Sequence, residues 1–341
     1  MSRPRILVTG GTGFLGKLVV PLLREKFEVD VLSRSGQTEV QGDLTHWNAD
    51  LNFETLRSKK YSIIVHMAGL YDLKGSYVDC FQHNISAMGI ALKVAEALEI
   101  PYFLNTSTVA AAINSTLSTV KPYDLNFSKA FPDAYSDSKA LGEQVLHNWP
   151  VKNIKSRINL RLGVLVGDTK KGRIERIDGP YHAPESFKKI RPLIESLPTA
   201  LPLPGNESVK MPIVPVDKAA EAIVKFCEWA LTEKPEGYKS FHVTPTYGLT
   251  AKELYTATLK RLAIPNKGIT LVSKVPKPLM MKVSSLVARF PEEELFYLMN
   301  FPTYDTEATR KVLGPSWCPE FKEYEQAFWS GYEAFVSNRR N

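Results

Sequence analysis

Tyr135-Ser136-Asp137-Ser138-Lys139 carries the strongest chemical signal in the chain. A phenol titrates near pH 10 and is a poor proton shuttle at about pH 7. A lysine four residues further along a helix lies on the same face, and its ammonium favours the phenolate. The spacing therefore predicts Tyr135 as general acid/base, with Lys139 lowering its pKa and also reaching the ribose of a nicotinamide nucleotide. A second signal lies far upstream, in Thr9-Gly10-Gly11-Thr12-Gly13-Phe14-Leu15-Gly16. Glycines at 10, 13 and 16 follow a β-branched run and open a helical one. The first makes the turn, the second lets backbone approach a pyrophosphate, and the third packs helix on strand. The helix start offers oriented N–H donors to the anion. Gly10, Thr12, Gly13, Phe14, Leu15 and Gly16 are thus expected to hold a dinucleotide.

The next strand ends in Leu32-Ser33-Arg34-Ser35. An NAD site usually places an acidic residue here, about 20 residues past the glycines, on the ribose hydroxyls. None is present, since Asp30 falls mid-strand. Ser33 and Arg34 suit a 2′-phosphate through a hydroxyl and a guanidinium fork, so NADP (as NADPH) is the expected cofactor. Asp43 and Leu44 would flank the adenine. Phe103-Leu104-Asn105-Thr106-Ser107-Thr108 ends another strand in hydroxyls that can donate to a substrate carbonyl.

These residues need a scaffold, and the apolar pattern provides one. Short apolar runs at 5–9, 29–32, 62–66, 102–105 and 158–166 alternate with helical spacing at 14–26, 85–98 and 135–147. Strands alternating with helices of this length predict an α/β fold, a doubly wound parallel sheet of the Rossmann type. Prolines at 180, 184, 192, 198, 202, 204, 212 and 215 interrupt the pattern after Gly167. A helix at 217–231 and a strand at 241–243 return to it. Residues 1–167, with 213–243, are expected to form the cofactor domain. Residues 168–212 and 244–341 are expected to form a smaller, interleaved substrate domain.

Composition narrows the function. The chain is 44% hydrophobic and 23% charged, as an ordinary globular protein is. Three scattered cysteines and six histidines without an HExxH pair give no disulfide framework and no metal-ligand spacing. The longest uncharged run, Ile100 to Val120, is rich in Ser, Thr and Asn, and the N-terminus lacks the pattern of a signal peptide. A cytoplasmic protein without a membrane span is expected. The net charge of +7 is uneven: residues 151–191 hold 11 basic against 4 acidic side chains. That stretch lacks the interleaved aromatics of a nucleic-acid surface. It reads as a solvated face or as a docking surface for an anionic ligand.

The motifs Thr9 to Gly16, Asp43, His66-Met67-Ala68-Gly69, Thr106-Ser107-Thr108, Tyr135 to Lys139 and Arg161-Leu162-Gly163 together resemble the extended short-chain dehydrogenase/reductases. The resemblance implies Thr108 as the catalytic hydroxyl and adds Ala68, Gly69, Asn84 and Leu162 to the cofactor contacts. Two departures stand out: the family's Arg-Pro-Gly reads Arg161-Leu162-Gly163, and its Asn-x-x-Gly reads Asn84-Ile85-Ser86-Ala87. Tyr71-Asp72-Leu73, Gly163 to Asp168, Asp178-Gly179-Pro180-Tyr181, Val214 to Asp217 and Tyr304-Asp305-Thr306 resemble the thioester-reductase-like branch, which includes fatty acyl-CoA reductases. An NADPH-dependent reductase of an apolar carbonyl compound is implied, acting on an acyl thioester, long-chain aldehyde or ketone, free or bound to CoA or a carrier protein. The alternatives are a non-catalytic NADP sensor and a sugar-nucleotide epimerase-like enzyme. A dehydratase would need an acid beside the catalytic hydroxyl, and Val109 to Val120 has none. Relatives pair through helices corresponding to 85–98 and 135–147, so a homodimer is a further expectation. Finally, Leu279, Met280, Val283, Leu286, Val287 and Phe290 recur at helical spacing. That stretch reads as a core-facing helix, a lid over an apolar substrate, or a membrane-surface helix.

Overall fold

A computed structural model describes residues 3–273, 276 and 291–339. Its centre is a seven-stranded sheet built from β1 (Arg5–Thr9), β2 (Glu28–Ser33), β3 (Val40–Gln41), β4 (Tyr61–His66), β5 (Tyr102–Thr108), β6 (Ser156–Leu162) and β7 (Gly237–Val243). The strands lie in the order β7-β6-β5-β4-β1-β2-β3, all parallel. The unbroken apolar runs follow from burial on both faces: Ile6, Leu7, Val8, Ile63, Ile64 and Val65 are wholly buried. Helices α1 (Gly16–Lys26) and α4 (Val216–Glu233) cover one face through Val19, Leu23, Ile223 and Phe226. The other is covered by α2 (Ala87–Ala97), through Met88, Ala91 and Leu92, and by Leu146 of α3 (Ala134–Asn148). The strand order reverses between β1 and β4, and the crevice at such a switch point is where this architecture binds ligands. A third apolar core joins Phe187, Met211, Tyr255, Leu298, Phe328 and Tyr332, from the proline-rich stretch and the C-terminal third.

Two differences from the sequence reading bear on the site. The strand expected over 158–166 breaks at Gly163. There the chain leaves the main sheet, and Val164–Val166 pairs with Ile213–Pro215 instead. A Cβ at Gly163 would lie 2.1 Å from the Pro212 carbonyl oxygen, so this crossing requires glycine. The helix expected from 85 is preceded by a turn of helix at Tyr77–Cys80 and a π-helical segment, Phe81–Ser86. Such segments carry an extra residue per turn and recur near functional sites. The helical pattern over 279–290 lies outside the described residues. Among the described residues, no helix is long and apolar enough to cross a membrane.

Candidate active site

The loop between β1 and α1 shows how its glycines work. Gly10 has φ +72°, and a Cβ there would lie 2.5 Å from the Ala68 nitrogen. At Gly16 a Cβ would lie 2.3 Å from the Gly10 oxygen. Gly13 has an open, exposed face, as does Thr12. No side chain caps α1, and its first turn holds no acidic residue, leaving the positive end of the helix to an anion. These features fit a dinucleotide pyrophosphate. The β4 end is tied to this loop by Thr9, whose hydroxyl accepts from the Ala68 N–H (3.3 Å) and meets His66 Nδ1 at 2.8 Å. Burial, aided by the charge of Lys139, depresses the His66 imidazole to about 3. It is therefore neutral, and one proton is shared between its Nδ1 and the Thr9 hydroxyl.

At the end of β2, Ser33 Oγ lies 2.8 Å from Thr38 Oγ1 and 3.0 Å from Ser35 Oγ, beside the exposed Arg34. The neighbouring acids are engaged elsewhere. Asp30 is buried and accepts from Tyr61 (2.6 Å), Lys59 (2.8 Å) and Arg5 (3.4 Å). Glu39 accepts from the Val31 N–H (2.9 Å) and pairs with Arg24. Asp43 folds its carboxylate back on the Thr45 N–H and hydroxyl (2.9 and 2.8 Å). These bonds, with the charge of Arg34, hold its pKa down although partial burial pushes it up. The Leu44 side chain is buried in the core under α2.

Helix α3 carries the Tyr–Lys pair. Its N-cap, Asp133, accepts from Ser136 N–H (2.7 Å) and from the Tyr297 hydroxyl (2.7 Å), fixing the first turn. Tyr135 is buried in that turn, and Lys139 lies one turn on. Gly69 makes room for the lysine: a Cβ there would lie 3.0 Å from Lys139 Nζ and 2.9 Å from Asn84 Oδ1. Asn84, from the π-helical segment, is committed within the protein. It donates to Leu70 O (3.1 Å) and Ser138 Oγ (2.9 Å) and accepts from Leu70 N–H (2.9 Å). It thus braces the Gly69 segment against α3.

The electrostatics differ from the sequence expectation. Burial pushes the Tyr135 phenol up, and the opposing pull comes from a hydrogen bond with Thr108. Lys139 is itself lowered to about 8 by burial, against the upward pull of Glu143. Burial of the phenol is the larger effect, so the lysine does not impose the phenolate. Glu143 is the acid missed in sequence. It is wholly buried, accepts from Ser107 (2.5 Å) and pairs with the equally buried Arg161 (2.7 Å), which also reaches His242 Nε2 at 3.2 Å. This network locks β5, β6 and α3 together directly behind Thr108.

Tyr135, Thr108, Lys139, Gly69, Leu162, Phe14 and Leu15 all line one cleft of about 420 Å³. The same cleft is lined by Val164, Ile174, Met211, Leu254, Leu298 and Phe301. Tyr71 stands at its wall with its ring edge-on to Tyr135 (4.9 Å between centroids), its hydroxyl 3.1 Å from Asp178, and the Arg176 guanidinium 4.2 Å over its ring. Asp178, His182 and Glu294 converge beside it, with one ligating atom from each within 4.8 Å of the others. No spacing in the sequence signals this convergence, because Asp178 and His182 share one turn while Glu294 comes from a distant helix.

A Rossmann sheet with a nucleotide loop at its switch point and a Tyr–Lys pair facing a cleft defines an extended short-chain dehydrogenase/reductase. Residues 34–223 match the family of NAD-binding domains described as "Male sterility protein", and the chain belongs to that family; it is an NAD(P)-dependent enzyme. Solved structures share the fold. The terminal R domain of the myxalamid PKS-NRPS biosynthetic pathway is similar at TM-score 0.74 and 18% identity, over 99% of this chain and 92% of that one. MoeE5, in complex with UDP-glucuronic acid and NAD, is similar at TM-score 0.64 and 15% identity, over 97% and 99%. The Bordetella bronchiseptica enzyme WbmG, in complex with NAD and UDP, is similar at TM-score 0.62 and 17% identity, over 98% and 95%.

Proposed function

We propose that this protein is an NADPH-dependent reductase whose substrate is an acyl thioester or related carbonyl compound with a long apolar chain. The observation that carries this reading is the cleft itself. Around Thr108 and Tyr135 its lining is mostly aliphatic and aromatic, including Phe14, Leu15, Val164, Ile174, Leu298 and Phe301, which suits a hydrocarbon chain far better than a sugar hydroxyl set. When bound, the reduced nicotinamide supplies a hydride. Gly10, Gly13 and the α1 N-terminus would hold the pyrophosphate. Ser33, Arg34, Ser35 and Thr38 would hold a 2′-phosphate, a preference favoured by the engagement of Asp30 and Glu39 elsewhere. Ala68, Gly69 and Leu162 would flank the nicotinamide half, and Asp43 the adenine.

In this reading the Thr108 and Tyr135 hydroxyls hold the substrate carbonyl oxygen, and Tyr135 delivers the proton. Lys139 stays in reach of both the nicotinamide ribose and Tyr135, and an anionic phenolate forming beside it draws on its charge. The third apolar core, with the stretches 168–212 and 244–341, is taken as the substrate domain on the Rossmann part. The basic stretch 151–191 would receive the phosphates of CoA or an acidic carrier. It reaches the cofactor end of the cleft, where Glu175 pairs with Lys17 of α1 at 2.8 Å. The apolar positions of α2 are filled by the chain's own core, so the structure gives no separate reason for pairing through that helix. NADPH oxidation against acyl thioesters, aldehydes, ketones and UDP-sugars tests the reading. Turnover confined to UDP-sugars would replace it with the epimerase-like alternative.

A further inference from the structure

Hydride transfer to a thioester is only part of its reduction. A thiolate must then leave, and it needs a proton of its own. Tyr135 serves the carbonyl oxygen and recovers that proton when the carbonyl re-forms, so it has none left for sulfur. The cleft holds a second acid, beside the Asp178 carboxyl that Tyr71 contacts. Glu294, in the first turn of α5 (Glu292–Asn300), lines the cleft with its side chain only 12% exposed. A carboxyl oxygen of Glu294 lies within 4.8 Å of one of Asp178. Asp178 has the stabilising partners: Arg176 Nε at 3.1 Å, the Tyr71 hydroxyl at 3.1 Å and the Gly179 N–H at 3.0 Å. Glu294 has a distant Gly179 N–H at 3.4 Å and His182 Nε2 at 3.8 Å, and burial disfavours a charge on that imidazole.

Two adjacent carboxyls whose side chains are only 28% and 12% exposed favour holding one proton between them. The guanidinium and the phenol sit on Asp178, so the proton resides on Glu294. Burial and the charge of Asp178 push the Glu294 carboxyl up to about 9, close to the thiol value of about 8.5. General acids work best when so matched.

We propose that Glu294 is the proton donor to the departing thiolate, and that Asp178 is a positioning residue that keeps the proton on it. The assignment deepens the thioester reading above and rests on it. Hydride adds to the thioester carbon and the Tyr135 proton goes to its oxygen, giving a hemithioacetal. The Tyr135 phenolate then takes the hydroxyl proton back, the C=O bond re-forms, the C–S bond breaks, and sulfur leaves as a thiol with the Glu294 proton. The products are the aldehyde, the thiol and the oxidised nicotinamide. Glu294 regains its proton from solvent through the open cleft.

The test compares two substrates of one enzyme: NADPH oxidation with a long-chain acyl-CoA and with the aldehyde of the same chain, which has no leaving group. Glu294→Gln replaces a neutral acid by a neutral amide of the same size. It should lose thioester reduction by about 10²-fold or more while aldehyde reduction stays within a few-fold. Equal loss on both substrates, or full retention on the thioester, overturns the assignment alone. A wild-type enzyme that reduces no thioester overturns the substrate reading along with it. Asp178→Asn should bring in an earlier alkaline fall of thioester reduction and leave the aldehyde profile in place; an unmoved thioester profile removes Asp178 from the account. Independently of turnover, infrared difference spectra of the ligand-free protein at pH 8 should show a protonated carboxyl that is missing in Glu294→Gln. Its absence from the wild type also overturns the proposal.

Discussion

Tyr135 and Lys139 are one helical turn apart, so their chemistry could be read from five consecutive residues, and the structure brings both to the cleft with Thr108. Tyr135→Phe removes only the phenolic proton. It should lower turnover by about 10²–10⁴-fold while NADPH affinity, followed by fluorescence titration, changes no more than a few-fold. Arg34→Ala should weaken NADPH far more than NADH, since a charge-assisted hydrogen bond contributes about 1.5–3 kcal/mol. Equal losses in the two titrations would take Arg34 off the 2′-phosphate. Lys139 makes a pH prediction. Its folded pKa of about 8 lies below the ordinary lysine value of about 10.4, so the unfolded chain binds the extra proton between those values and stability rises with pH across that window. Denaturant melts should therefore show Lys139→Met more stable than wild type at pH 7, by on the order of 2–3 kcal/mol, with the difference shrinking toward pH 10. Asp178 and Glu294 could not be found this way. Their partnership exists only once the 178–182 turn meets α5, and neither segment carries a period that announces it.

At the scale of elements, strand and helix order was legible because the sheet is buried on both faces, and unbroken runs such as Ser62 to Val65 have no other home. What escaped was local. Gly163 looks like a residue inside an apolar run, and only the approach of Pro212 from a distant segment makes it a break. The π-helical segment before α2 keeps the helical apolar period closely enough to pass for its continuation. Glu143 looks like one more charged helix residue until Arg161 and Ser107 close on it. Breaking a buried ion pair by removing one partner costs about 3–5 kcal/mol, so Glu143→Ala should lower the denaturation midpoint markedly, and a Glu143→Met/Arg161→Met double variant should recover much of the loss. Gly16→Ala drives a Cβ into the Gly10 carbonyl; calorimetry should show both lower stability and weaker dinucleotide binding.

The whole molecule couples a cofactor sheet to a further apolar core, and the cleft is lined by residues of both. Surface charges act over about 10 Å at 0.1 M salt. KM for a CoA thioester should therefore rise with ionic strength, while KM for an uncharged aldehyde of the same chain should not. The decisive measurement is kcat/KM for NADPH oxidation across an acyl-thioester series of increasing chain length. The account predicts a steep rise with length, each buried methylene contributing up to about 0.8 kcal/mol, until the cleft is filled. A flat profile, together with efficient turnover of a UDP-sugar, would contradict it.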